Sequence, residues 1–293
     1  MKLIKYSLAI AILSFLTTSC SGDDDNASSN AVMTLDVIGL QPLENNVEYE
    51  AWIVVNGENK SLGRFRDVNF PRDFRANRSD IQNATGFKLS IESGNDSSEE
   101  ISKTVLLSGT FAGNSAQLDI KSTLGSFQNA SGVFMLQTPT DDNPDNKQNG
   151  IYWMRPGGVP GLDLPELPEG WNYEGWVTVN TPAGEVNLST GTFKKPVGRD
   201  DFQPYSKTTN PQPAFPGEDF LNASLLAKSG VNNIPDLRGQ KAFISIEPSP
   251  DNDGNAPFIL RPLSGPIGVE TSPALNSMGL KTGSFPIGTA LRD

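Results

Sequence analysis

Tyr49-Glu50-Ala51-Trp52-Ile53-Val54-Val55-Asn56 returns later in the same chain as Tyr173-Glu174-Gly175-Trp176-Val177-Thr178-Val179-Asn180. Leu/Pro-punctuated lead-ins precede both copies, Leu35 to Glu44 and Leu162 to Glu169. Ser61-Leu62-Gly63-Arg64-Phe65 follows the first copy and Ser189-Thr190-Gly191-Thr192-Phe193 the second. Further on, Phe87-Lys88-Leu89-Ser90-Ile91-Glu92 is answered by Phe243-Ile244-Ser245-Ile246-Glu247. Val105-Leu106-Leu107-Ser108-Gly109 is answered by Ile259-Leu260-Arg261-Pro262-Leu263-Ser264-Gly265. Matches that keep their order over such distances mark a tandem duplication.

The repeated segments read as strands. Tyr49, Ala51, Ile53 and Val55 fall on one face, with Glu50, Trp52 and Val54 on the other, and Phe87, Leu89 and Ile91 alternate with Lys88, Ser90 and Glu92. Asn56-Gly57 is hairpin-turn chemistry between the first strand and Leu62–Phe65. With 28 glycines and 22 prolines, long helical periodicity is missing. One short helix is predicted, Asp219 to Lys228, with Asp219 as its cap. The fold class expected is therefore all-β: two tandem antiparallel β-sandwich (immunoglobulin-like) domains, with the one helix in the second. Domain one runs over 33–111 and domain two over 112–293, with the acidic, Pro-rich stretch around Pro139–Asp145 as an equally fair linker. The extra strands Ala116–Ile120, Gly132–Leu136 and Tyr152-Trp153-Met154 complete the second sheet, and cutting near Ala112 should give two separately folded halves.

Composition removes whole classes of chemistry. Histidine is absent and Cys20 is the only cysteine, so a Ser-His-Asp triad, a histidine-based zinc site and an intrachain disulfide are all excluded. No P-loop, Gly-x-Gly-x-x-Gly or Gly-x-Ser-x-Gly occurs. The net charge is −11, and taking away Lys2 and Lys5, the charged residues of 1–19, leaves −13. Such a surface disfavours nucleic acid as a partner.

Those first residues have their own pattern. Lys2 and Lys5 precede the apolar run Tyr6–Leu16, which is too short to span a bilayer of roughly 30 Å. Leu16-Thr17-Thr18-Ser19-Cys20 then resembles a lipobox, with Thr17 where leucine is usual. The resemblance implies a lipoprotein signal peptide over 1–19 and lipidation at Cys20. Residues 20–32, beginning Ser21-Gly22-Asp23-Asp24-Asp25, form a flexible acidic tether. An acidic run after such a cysteine resembles the export signal of Bacteroidetes lipoproteins, which implies an outer-membrane, surface-exposed location, with the periplasm as the alternative.

The Tyr-Glu-x-Trp strand, the Ser-x-Gly-x-Phe that follows it and the later Phe-led strand ending in Ile-Glu together resemble the extracytoplasmic domain of anti-sigma-K-type factors, in tandem. The likeness covers most of Leu35–Gly109 and of Leu162–Gly265. In that family the domain is a β-structured module joined through a membrane helix to a cytoplasmic, sigma-holding part. This chain shows no segment of the latter kinds, so sigma-factor sequestration is not implied.

Candidate binding residues are Trp52 and Trp176, as stacking platforms or as core packing, and Arg72 and Arg75 from the run Arg64, Arg66, Arg72, Arg75, Arg78. Guanidinium forks suit phosphate or carboxylate groups, or else pair with local acids. Glu50 and Glu174 are candidate paired carboxylates, but their places in separate domains argue against glycoside chemistry. Asp251-Asn252-Asp253-Gly254-Asn255 and Asp141–Asp145 are shorter than a calcium loop and read as turns. No catalytic residue, metal or cofactor is expected. The reading is a non-enzymatic envelope lipoprotein, held to the membrane by its lipid, that binds or senses a protein or glycan. The alternatives are a carboxylate-based glycan hydrolase and a structural spacer.

Overall fold

A computed structural model describes residues 29–95, 98–250 and 256–293. The expected leader 1–19, Cys20, the tether as far as residue 28 and the Asp251–Asn255 turn lie outside the described residues. The end expected for the tether is corrected, because regular structure already begins at Asn30.

The described residues are mostly β, 45% strand and 10% helix, in two large antiparallel sheets. The first part of the chain supplies β1 (Asn30–Ile38), β2 (Val47–Val55), β3 (Glu58–Phe65), β4 (Arg72–Asn77), β5 (Gly86–Ser93), β6 (Val105–Ala112) and β7 (Ser115–Leu118). Helix α1 (Arg78–Asn83) lies between β4 and β5, and the one-turn α2 (Lys121–Leu124) follows β7. Next come β8 (Ser131–Leu136), β9 (Gly150–Tyr152), the small hairpin β10 (Met154–Arg155) and β11 (Val159–Pro160), and β12 (Leu162–Asp163). The rest is β13 (Trp171–Thr181), β14 (Gly184–Phe193), β15 (Gly217–Asp219), α3 (Ala223–Lys228), β16 (Lys241–Pro248), β17 (Leu263–Pro266), β18 (Asn276–Leu280) and β19 (Ile287–Arg292).

The sheets carry the duplication further than the sequence does. The first runs β3-β2-β5-β6-β7-β19-β1-β4 and the second β14-β13-β16-β17-β18-β8-β9-β15, with β12 also paired to β8. Superposed by position, β2 matches β13, β5 matches β16 and β4 matches β15, and a short helix follows the last of each pair. The strand that should close the first sheet is β8, which follows β7 in the chain. The strand that should close the second is β19, which follows β18. Each instead sits in the other sheet: β19 between β7 and β1, and β8 between β18 and β9. The two repeats have exchanged their eighth strands.

The boundary expected at Ala112 therefore falls within the first sheet. β6 ends there, and β7, expected to help complete the second sheet, pairs with β6 and β19. The helix expected from Asp219 is corrected too. Asn222 is the cap, its side chain accepting from the Leu225 N–H, and Asp219 ends a buried strand. Helices α1 and α2 were not expected. The Asn56-Gly57 turn is present, with φ of 54° and 86°, the left-handed pair that a two-residue hairpin requires.

Each sheet curls until its ends approach, β3 near β4 and β14 near β15, so that each is nearly barrel-like. The inward rows Tyr49, Ala51, Ile53 and Phe87, Leu89, Ile91 belong to one continuous apolar core with Tyr173, Val177, Ile244 and Ile246. Phe127, in the β7–β8 connection, packs edge-on to both Tyr173 and Phe285. Among the described residues no helix is long and apolar enough to cross a membrane.

Candidate functional site

The conserved spacing of the two copies is a packing device. Tyr49 donates its hydroxyl to the Gln41 carbonyl at 2.8 Å, and Tyr173 does the same to Pro165 at 2.6 Å, pinning each lead-in. Phe65 and Phe193, from the Ser-x-Gly-x-Phe segments, lie against these tyrosine rings at 5.6 and 5.7 Å. In each hairpin the strand carrying that segment bulges by one residue. The glycines make the bulge possible: Gly63 and Gly191 have φ of 132° and 99°. Ser61 and Ser189 hold it, accepting from the glycine N–H and donating to Glu50 and Glu174.

Trp52 and Trp176 face away from the core and are each 1% exposed. Their indole N–H groups donate to Ser90 at 2.9 Å and Ser245 at 2.8 Å. Both rings are packed rather than open as stacking platforms, although Trp176 also borders a surface depression. The buried carboxylates are likewise committed: Glu50 takes Ser61 and Arg64, whose Nε lies 2.7 Å away, and Glu92 takes Ser90 and the Ser102 N–H.

The arginine run is held mostly within the fold. Arg64 pairs with Glu50 and Arg66 with Glu48, while Arg78 donates to the Asn30 carbonyl. Arg72 is paired with Asp67 and lies 4.7 Å over the Phe65 ring. Arg75 is exposed on β4, opposite Val32. The structure does not draw Arg72 and Arg75 together with either tryptophan into one site.

The two units differ most between their third and fourth strands. The first joins them through residues 66–71, the second through 194–216. This longer segment is stitched down by three buried carboxylates. Asp200 accepts from the Gly217 N–H at 2.7 Å and from Gln203. Glu218 accepts from Ser206, and Asp219 from the Thr140 hydroxyl and, at 2.8 Å, the Thr140 N–H. Burial pushes all three carboxyls up, to about 7, 8 and 6 respectively. Tyr152, buried beside Asp219 and Glu218, is driven up by burial first and by those charges second. The described residues contain no group of three or more His, Cys, Asp or Glu that could hold a metal. In the 141–145 turn, Asp141 is bound by Asn146 and Lys207, and Asp142 by Asn210.

So folded, the long segment becomes one wall of a groove. A depression of about 560 Å³ lies between Phe202, Pro204 and Tyr205 on that wall and Glu185, Asn187 and Ser189 of β14. A second, of about 670 Å³, continues from Glu185 and Asn187 across the sheet past Lys241 and Arg261 to Lys281. Strand register explains the lining. The outward row Asn187–Thr178–Lys241–Pro266 crosses β14, β13, β16 and β17, beside the row Ser189–Trp176–Phe243–Ser264. Where Lys88 faces Trp52 in the first unit, Phe243 stacks on Trp176 in the second, with centroids 6.1 Å apart, and Arg261 caps Phe243 at 4.7 Å. Sequence reasoning missed these residues because they are scattered from 185 to 281 and meet only through pairing. Two signals were present: Arg261-Pro262 has no counterpart in the first copy, and Phe202 is an aromatic in a polar, Pro-rich stretch. In comparisons with known proteins, no family model, no curated protein and no solved structure matches the chain.

Proposed function

We propose that this chain is a non-enzymatic bacterial envelope lipoprotein that binds or senses a protein or glycan outside the cytoplasm. The observation that carries the reading is the groove: an open channel of mixed polar and apolar lining over the outer face of the second sheet, one wall of which is a segment the first unit lacks. Side chains that can donate and accept hydrogen bonds around an open channel suit recognition. The likeness of the repeated strands to anti-sigma-K-type extracytoplasmic modules, and to a tandem of β-sandwich domains, supports the same assignment. On this view the first unit is scaffold and the second is receptor.

The test is retention of envelope material by the immobilised chain. Asn187→Trp, which fills the junction of the two depressions, should remove at least nine-tenths of the specifically retained protein or polysaccharide. Equal retention by that variant would overturn the binding reading. Glycan turnover abolished by a single Asp or Glu substitution would replace it with a hydrolase.

The lipid anchor rests on the lipobox-like Leu16–Cys20 and makes its own prediction. In a host that processes lipoproteins, Cys20→Ser should move the protein from the membrane pellet to the soluble fraction. Undiminished membrane retention would refute the anchor.

A further inference from the structure

The second depression is positive in an acidic protein. Lys241, Arg261 and Lys281 line it with Glu185 as the one acid, while the chain as a whole carries −11. Lys241 and Glu185 are 3.6 Å apart but 71% and 61% exposed, a pair too solvated to neutralise the site. Arg261 is fixed, half-buried, by the Phe243 ring and by the Phe258 and Pro257 carbonyls, each at 3.3 Å. Guanidinium and ammonium donors gathered in one depression suit a carboxylate.

The rest of the channel describes what that carboxylate belongs to. Thr178 donates to Asn187 Oδ1 at 2.8 Å, which sets the Asn187 amide with its NH2 as donor to the groove, and Ser264 and Ser284 add hydroxyls. At the far end Phe202 is 63% exposed, an apolar ring face on a polar rim. Hydroxyl and amide groups with a single exposed aromatic match sugar rings. The second depression crosses β14, β13, β16 and β17, so an extended peptide lying in it would run across the strands and have no strand edge there to pair with. A dense polyanion such as nucleic acid would be repelled by the acidic surface around so short a positive stretch.

We propose that this groove binds an anionic oligosaccharide of the uronate class, its carboxylate held by Arg261, Lys281 and Lys241 and its rings running past Asn187 to Phe202. The assignment rests on the binding role proposed above and narrows it to one ligand chemistry.

Calorimetric titration of the full chain with tetragalacturonate and with its methyl ester tests it. The acid should bind at least tenfold more tightly than the ester. Lys281→Glu, an exposed loop position, should weaken the acid tenfold or more with unchanged thermal unfolding, and Phe202→Ala should weaken acid and ester alike. Equal affinity for acid and ester, or indifference to Lys281→Glu, would overturn the proposal. If neither sugar binds while Asn187→Trp still abolishes capture of an envelope protein, the uronate assignment fails and the receptor role survives.

Discussion

Truncation after Pro286 will unfold the first unit and spare the second, although the residues removed come from the far end of the chain. β19 registers with six residues of β1 and four of β7, so its loss exposes two internal strand edges at once. Ala290, fully buried, goes with it. So does Arg292, which donates to the carbonyls of Ile81, Gln82 and Ala84 at the end of α1 and to Gly113, and lies 4.6 Å over the Phe111 ring. The Gln82 and Ala84 carbonyls lie where a helix end leaves acceptors without intrahelical partners, while the Ile81 carbonyl also accepts from the Ala84 N–H. At roughly 1 kcal/mol net for each hydrogen bond lost, several kcal/mol disappear from a unit whose whole stability is on the order of 5–15 kcal/mol. Hydrogen exchange should show amides of β1 to β7 losing protection while those of β13, β16 and β17 keep theirs. A peptide covering 285–293, added in excess, should restore it. Protection lost evenly over both sheets, or not lost at all, would disprove the exchange. A cut near Ala112 should fail the first unit for the same reason, because residues 1–112 would lack β7 and β19, whereas 113–293 keeps all eight strands of the second sheet.

The second large effect is on pH. Asp200, Glu218 and Asp219 lie buried around residues 194–216, with Asp141, Asp201 and Tyr152 as their titratable neighbours, while Lys207 is given to Asp141 at 3.2 Å. Their folded values of about 7, 8 and 6 stand above unfolded ones near 4. Between those limits the native state keeps protons that the unfolded chain has released, so stability falls as pH rises, the reverse of an ion-paired carboxylate. The full stabilisation is present below about pH 4 and is lost by about pH 8. At about 1.4 kcal/mol per pKa unit the loss is a few kcal/mol, and because the three groups feel one another it is shared rather than summed. The unfolding temperature should drop between pH 5 and pH 8, and Glu218→Gln should flatten that slope. Stability that rises with pH over this range, or a slope untouched by Glu218→Gln, would contradict the assignment.

How much of this was legible beforehand depends on where the physics was local. The strands from Tyr49 and Tyr173 and their hairpins announced themselves because alternation and turn chemistry act over a few residues. The exchange did not. β19 buries only Ala290 fully, so Ile287-Gly288-Thr289-Ala290-Leu291-Arg292 carries almost no two-residue rhythm, and its partners lie in the other repeat. Gly217-Glu218-Asp219 misled for a related reason: two acids before a short apolar run look like a helix cap, and only tertiary hydrogen bonds make that stretch a buried strand. The groove was invisible because its cations are distant in sequence, whereas the clustered arginines that stood out are mostly absorbed by neighbouring acids and carbonyls.

The exchanged strands also impose an order in time. A chain made from its amino end offers β1 and β7 long before β19 exists, so the gap between them stays open while the second repeat is being built. Closing it joins Met33 to Arg292, a contact of very long sequence separation and so of the slowest kind to form. Completion of the first sheet thus certifies that synthesis has passed β19: a product that stops before Ile287 presents two naked strand edges to whatever proteases patrol its surroundings.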